Sequence, residues 1–247
     1  IRKRTGMYIG RLGDGSHCDD GVYILLKEVV DNAVDEYIMG HGRQVEIATE
    51  PKGQVTVRDY GRGIPLGKVI ECVSQINTGA KYNDDVFQFS VGLNGVGTKA
   101  VNALSESFVV RSHRDGQFVE ATFRRGRLVG EKKGKTQDPD GTFVRFTPDP
   151  EIFKEYSFQA EHIEHRLRHY AYLNSGLKLL WNGQEFLSRR GLLELVLDEV
   201  KDEAIYPPLY FTSKTLEFCF THSNSRFGET FWSFVNGQFT SDGGTHL

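Results

Sequence analysis

Leu25-Leu26-Lys27-Glu28-Val29-Val30-Asp31-Asn32-Ala33-Val34-Asp35-Glu36 is the stretch on which the reading of this chain turns. At helical spacing Val22, Leu26, Val29, Ala33 and Tyr37 make an apolar stripe, widened by Leu25, Val30, Val34 and Ile38. Asp19 or Asp20 stands where a helix wants its cap, and Gly40 where a left-handed residue closes the last turn. On such a helix Glu28 and Asn32 lie one turn apart on one side, beside the buried stripe rather than opposite it. A carboxylate and a carboxamide so placed suit a water and a metal ion held together. The plainer reading is a solvated acidic face on an ordinary helix.

Downstream, residues 44–48 and 54–58 alternate like strands of a half-buried sheet, joined by a turn at Pro51-Lys52-Gly53. Asp59-Tyr60-Gly61-Arg62-Gly63-Ile64-Pro65 breaks that pattern and leaves the strand as a loop. Residues 68–75 suit a helix. Residues 77–94 are polar and glycine-dotted, a long loop of the kind that is usually functional. A helix resumes over 98–104, followed by antiparallel strands at 108–111, 117–123, 127–130 and 142–146, with turns at Asp115-Gly116 and Gly126. Helices fit 160–173 and 191–200, and between them a strand at 177–181 closes on the hairpin pair Asn182-Gly183. After Asp202 the pattern changes: Tyr206-Pro207-Pro208 reads as a junction, and 216–221 and 230–235 are strand-like with no helix between. The expected division is therefore a first domain over 1–201 and the start of a second over 202–247.

Composition narrows the class. A 38% hydrophobic share with 17 Phe and 10 Tyr supplies a real core in 247 residues. The net charge of −3 and pI near 6.3 imply no strongly basic face, so this segment need not grip nucleic acid itself. Cys18, Cys72 and Cys219 lie far apart without C-x-x-C spacing, which reads as reduced, cytosolic thiols rather than a disulfide frame or zinc site. No apolar run approaches membrane-spanning length and no signal segment is visible. The abrupt start at Ile1-Arg2-Lys3-Arg4 and stop at Gly243-Gly244-Thr245-His246-Leu247 suggest a piece of something longer.

Three further constellations accompany the helix. Asp59 falls at a strand exit, where a buried carboxylate accepts a hydrogen bond from an exocyclic amine while Gly63 lets a flat ring approach the backbone; alone, it reads as a plain Asp-x-Gly turn. Gly92-Leu93-Asn94-Gly95-Val96-Gly97-Thr98-Lys99 is a glycine-rich turn entering a helix, whose exposed amides and positive end make a phosphate cradle. Gly95-Val96-Gly97-Thr98-Lys99-Ala100 matches the dinucleotide pattern G-x-G-x-x-A only weakly, with no hydrophobic strand before it and an antiparallel surrounding, and it is not a Walker A loop, since Thr98-Lys99 reverses the usual order. Gly141-Thr142 precedes a strand, and Thr142 either turns its hydroxyl into the same cleft or satisfies local backbone. Together the pieces suggest a nucleotide site: base near Asp59 and Thr142, phosphates on the glycine loop, metal at Asn32, and a water activated by Glu28 as general base. Lys81 in the long loop is a candidate cation.

Glu28-x-x-x-Asn32, Asp59-x-Gly61-x-Gly63, Gly92-x-x-Gly95-x-Gly97 and Gly141-Thr142 come in the order seen in the GHKL ATPases, the group of gyrase, heat-shock ninety chaperones, histidine kinases and MutL proteins. The longer strings Gly6-Met7-Tyr8-Ile9-Gly10, Val101-Asn102-Ala103-Leu104-Ser105 and Gly243-Gly244-Thr245-His246 resemble the ATPase end of the B subunits of bacterial type IIA topoisomerases, over essentially the whole chain. Gln88-Phe89-Ser90 leans toward the topoisomerase IV branch rather than gyrase.

The resemblance implies a two-layer α/β sandwich of the α+β class, a mixed, mostly antiparallel sheet with helices on one face, followed by the first strands of a transducer domain. It implies ATP and Mg2+ as cofactors, with Glu28 activating water and Asn32 binding the metal. Asp59 would contact the adenine amino group, helped by Gly63 and Thr142. The backbone of Gly92, Leu93, Asn94, Gly95, Val96 and Gly97 would wrap the phosphates, with Lys81 reaching in from the lid. Arg62, Ile64, Pro65 and Arg114 would line the adenine side and the rim where aminocoumarin-type inhibitors bind. Implied partners are the topoisomerase A subunit, a second copy of the B subunit and DNA through the holoenzyme, in the cytoplasm and away from any membrane. Thr5, Gln88, Val91 and Asn94 depart from common family residues without touching base, metal or adenine contacts. The family's N-terminal arm and catalytic lysine loop would lie outside this stretch, so the expectation is ATP binding with weak hydrolysis.

Overall fold

The computed structural model describes residues 1–50, 53–76, 95–224 and 228–240. After a helical turn α1 (Gly6–Ile9), the decisive stretch forms α2 (Gly21–Ile38). Its apolar stripe is buried as the periodicity requires, through Val22, Leu25, Leu26, Val29, Val30, Ala33 and Val34. Tyr23, Asp31 and Asp35 are buried as well, so the helix runs inside the protein and there is no solvated acidic face. The stripe fails only at its end, where Ile38 is exposed and Tyr37 is half-buried with its hydroxyl donated to the Ser175 carbonyl at 2.5 Å. Asp20 occupies the N-cap position, yet its carboxylate turns backward, accepting from the amides of Gly15 at 2.9 Å and His17 at 3.2 Å and pairing with Arg11 at 2.7 Å. It orders the preceding loop instead of the first turn. Gly40, at φ +86°, closes the far end and donates to the Tyr37 carbonyl at 2.8 Å.

Eight strands form one sheet: β1 (Gln44–Thr49), β2 (Val55–Asp59), β3 (Ser105–Arg114), β4 (Gln117–Arg124), β5 (Arg127–Lys135), β6 (Gly141–Pro148), β7 (Lys178–Trp181) and β8 (Gln184–Phe186). Their order is β5-β4-β3-β6-β2-β1-β7-β8, antiparallel except where β7 returns beside β1. The helices are α2 together with α3 (Val69–Ser74), α4 (Gly97–Leu104), α5 (Ala160–Leu173) and α6 (Leu192–Val200). A buried row runs across the central strands at Val57, Val144, Val110 and Ala121, in register, and shares one core cluster with the apolar face of α2. This is the mixed, mostly antiparallel sheet layered with helices that the resemblance implied.

Turn chemistry explains the hairpins. Asp115-Gly116 and Asn182-Gly183 have both residues at positive φ, matching the right-handed twist of the strands they join. β5 runs to Lys135, five residues past the expected end, because it is an edge strand exposed throughout, where pairing with β4 continues without any burial alternation to betray it.

Beyond α6 the strands leave the main sheet. β9 (Leu209–Thr212) pairs with β10 (Glu217–Phe220), and β11 (Phe234–Val235) with β12 (Gln238–Phe239) about Asn236-Gly237. The expected strand at 230–235 thus shrinks to two residues, while β9 and β12 were not foreseen. The last hairpin folds back: Phe234 and Phe239 pack against His169 of α5, and Gln238 donates to Asp31 of α2 at 3.3 Å. Among the described residues no helix is long and apolar enough to cross a membrane, and all three cysteines are free.

Candidate active site

α2 carries the site along its length. Glu28 and Glu36 stand eight residues apart on it, about 12 Å along the axis, and a separate loop meets each end.

At the first end, half-buried Glu28 faces the start of α4. A Cβ built on Gly97 would lie 1.7 Å from its Oε2, so only glycine leaves room for the carboxylate. Burial raises the Glu28 pKa above the ordinary glutamate value; Lys27 opposes the shift, and Asp31 and Asp35 add to it. One turn on, exposed Asn32 uses Nδ2 twice, donating to the Glu28 carbonyl at 2.6 Å and to Thr98 Oγ1 at 2.9 Å. That second bond ties α2 to α4. Gly95 takes φ +58° and Val96 caps α4, whose ladder begins with Ala100 N–H on the Val96 carbonyl at 2.9 Å. The amides ahead of it point out of the helix N-terminus, the geometry that receives anionic oxygens. Lys99, in the first turn, is buried, and burial lowers its pKa.

At the other end Asp59 closes β2, 7% exposed. Its Oδ1 accepts from Gly61 N–H at 2.9 Å and Thr142 N–H at 3.1 Å. Burial nonetheless pushes its pKa up to about 6, the two amides lowering it, Glu36 raising it and Arg58 lowering it. A buried carboxylate at a cleft is a receiver for a donor that arrives with a ligand. Gly63, at φ +71°, admits no side chain: a Cβ there would meet the His113 carbonyl at 2.4 Å. Ser112 Oγ donates to the Ile64 carbonyl at 2.7 Å, and Arg114 reaches the Gly63 carbonyl at 3.4 Å. Arg62 grips Glu36 through three bonds of 3.1 Å, from its amide, Nε and NH2. Pro65 precedes a short 3-10 turn at Leu66–Lys68.

The structure therefore brings Glu28, Asn32, Gly95, Val96 and Gly97 together at one end of α2, and Asp59, Arg62, Gly63, Ile64, Pro65, Arg114 and Thr142 around the other. Lys81, Gly92, Leu93 and Asn94 lie outside the described residues. Sequence reading passed over Thr98, Glu36 and Ser112. Thr98 directly follows the glycine turn, a detectable signal; Glu36 and Ser112 act through contacts 26 and 48 residues away that no local spacing reveals. Among the described residues no three His, Cys, Asp or Glu side chains gather into a metal cage. Asn32, with Nδ2 engaged, retains its carbonyl Oδ1, which suits an ion such as Mg2+ that takes one protein oxygen and completes its shell with water and phosphate.

Residues 18–152 match the family of histidine kinase-, DNA gyrase B- and HSP90-like ATPases. The chain belongs to this ATPase family. Over its whole length it is 59% identical to the B subunit of DNA topoisomerase 4 from Borreliella burgdorferi, of which it covers 41%, and 38% identical to the B subunit of DNA gyrase from Thermotoga maritima, of which it covers 42%. The crystal structure of the 43K ATPase domain of Thermus thermophilus gyrase B in complex with an aminocoumarin superposes with a TM-score of 0.68 at 34% identity, over 88% of this chain and 59% of that one. The chain thus spans about two fifths of the length of these curated relatives. As an ATPase of this family it binds ATP.

Proposed function

We propose that this chain is the ATP-binding part of the B subunit of a bacterial type II DNA topoisomerase, topoisomerase IV in kind. The observation that carries the reading is α2 itself, which holds Glu28 against Gly97 at one end and Glu36 against the Asp59 loop at the other. The 59% identity to a topoisomerase IV relative is the support for that branch.

In this reading Asp59 accepts a hydrogen bond from the adenine amino group, Thr142 and Gly63 flank it, and the phosphates lie on the amides of Gly92 to Gly97 with Lys81 above them. Glu28 takes a proton from the attacking water as its oxygen bonds to the terminal phosphorus and ADP departs. The raised Glu28 pKa makes it a stronger base than an exposed glutamate. Mg2+ on Asn32 would neutralise phosphate charge. Arg62, Pro65 and Arg114 form the rim for aminocoumarin-type inhibitors, Arg62 fixed there by Glu36.

In the whole protein, ATP closes a dimer of B subunits around a DNA segment and hydrolysis reopens it, while the A subunit cuts and rejoins; the setting is the cytoplasm, where that DNA lies. Residues 202–247 would begin the transducer domain. The decisive experiment reconstitutes the full-length protein with its A partner and assays strand passage. ATP-dependent decatenation abolished by Glu28→Ala supports the reading, and passage that survives the substitution rejects it.

Gyrase is the second reading. Its support is that, away from the 59% relative, identity does not follow the name: 38% to the Thermotoga gyrase protein, but 36% to the Enterococcus faecalis topoisomerase IV protein. Negative supercoiling by the same reconstituted enzyme would select it.

A further inference from the structure

The residues that alternate with Asp59, Thr142 and Ser112 along β2, β6 and β3 project from the opposite face of the sheet, away from α2. There Phe143 stands in register with Arg58 on β2 and with Arg111 on β3, and Arg111 in turn with Glu120 on β4. Arg145 follows two residues after Phe143 on the same face. With Tyr60, His113, Asp138 and Pro139 these side chains line a cavity of about 390 Å³.

The charges in it do not cancel. Glu120 neutralises Arg111, bound by Nε at 2.8 Å and by a second, shorter bond from NH2. Arg58 makes no ion pair among the described residues, although its charge acts on the neighbouring Asp59: Nη2 donates to the carbonyls of Pro139 at 2.5 Å and Asp140 at 3.5 Å, and the guanidinium sits 4.9 Å from the Tyr60 ring. Its NH1 is buried with no hydrogen-bond partner. The same is true of Nδ1 of His113, a residue only 4% exposed whose nearest carboxylate, Asp138, stands 3.7 Å away. Arg145 is exposed and makes no ion pair among the described residues. Buried donors left unmatched are rare and costly unless something arrives to use them. Two guanidinium groups, Arg145 exposed and Arg58 with Nη1 unmatched, beside an aromatic ring match the several oxygens of a phosphate better than the two of a carboxylate.

We propose that this cavity is a second ligand site, separate from the nucleotide cleft, for a small phosphate monoester with a planar body: its oxygens on Arg58, Arg145 and His113, its body over Phe143. The site shares a backbone wall with the adenine end, since the carbonyl of His113 underlies Gly63 and Arg58 precedes Asp59. A ligand here would therefore sit directly behind the nucleotide's base.

The test titrates phenyl phosphate onto the protein with the nucleotide cleft first filled by a non-hydrolysable ATP analogue, reading heat by calorimetry and the His113 imidazole resonances by NMR. The expected result is saturable binding with a shift at His113, roughly tenfold weaker in Arg145→Ala, while thermal unfolding and nucleotide affinity of that variant stay unchanged. His113→Gln, read by calorimetry alone, should also weaken it. Absence of saturation up to about 10 mM, binding abolished by the ATP analogue, equal binding by benzoate, or full affinity in Arg145→Ala would each overturn the proposal.

Discussion

Glu28 Oε2 lies so close to the α-carbon of Gly97 that a methyl group built there would overlap it, at 1.7 Å. Two segments almost 70 residues apart thus share one small volume at the head of α4. Gly97→Ala, although Gly97 takes a helical conformation that tolerates alanine, must push the carboxylate aside. A displacement of about 1 Å at a reacting group costs on the order of 100-fold in turnover. Steady-state hydrolysis by the full-length protein should show that loss with ATP affinity far less affected; unchanged kcat would show that the carboxylate has no positional role.

Glu28→Gln keeps the shape and removes the basicity. The full-length protein should bind ATP as before and lose about 10²–10⁴ in kcat. The wild-type rate should fall with acid on a limb lying above the ordinary glutamate range, because burial raises the pKa of the group that must be ionised. Loss of binding in place of turnover would move the chemistry elsewhere.

Asp59→Asn separates stability from binding. Burial holds the wild-type carboxyl pKa at about 6 in the fold against 3.8 for a free aspartate, so its protonated form favours the fold and stability declines as pH rises from about 4 through 6. The substitution should therefore raise unfolding stability at pH 7, by roughly 2–3 kcal/mol at most, while weakening adenine nucleotides at least tenfold through the lost acceptor. Wild-type affinity should itself fall as pH drops through 6. Urea melts and ATP titrations at pH 5 and 7 check both halves; a variant that destabilises the fold would contradict the assigned burial effect.

Tyr170→Phe probes the support beneath the metal-side residues. Tyr170 donates a short hydrogen bond to Oδ1 of buried Asp31, whose Oδ2 is held by Lys27 at 2.7 Å and Gln238 at 3.3 Å. Removing the hydroxyl leaves a buried oxygen without that donor, a cost of about 1–3 kcal/mol. Denaturant melts should record it; a change below about 0.5 kcal/mol would mean the remaining partners satisfy Asp31 alone.

Much of this was legible before any fold was known. The periodicity of residues 22–34, the strand–loop break at Asp59 and the glycine turn into residues 98–104 are local patterns, and backbone sterics translate them directly into elements. The hairpins at Asp115-Gly116 and Asn182-Gly183 were equally plain, since few residue pairs take two positive φ values in succession. β5 beyond Gly130, β9 and β12 were not, because such exposed or very short strands carry no burial alternation and owe their state to the neighbour they pair with.

By itself, then, the amino-acid order determined the principal elements, their family likeness and which residue types could serve a nucleotide. Only tertiary structure decided that Asp31 and Asp35 are buried, that Asp20 turns away from its helix, that Thr98 holds Asn32, and that Arg58 and His113 face a second hollow behind Asp59. Local pattern is written in steps of two and 3.6 residues. Burial and pairing depend on chain segments dozens of residues apart, whose approach is set by the packing of the whole core.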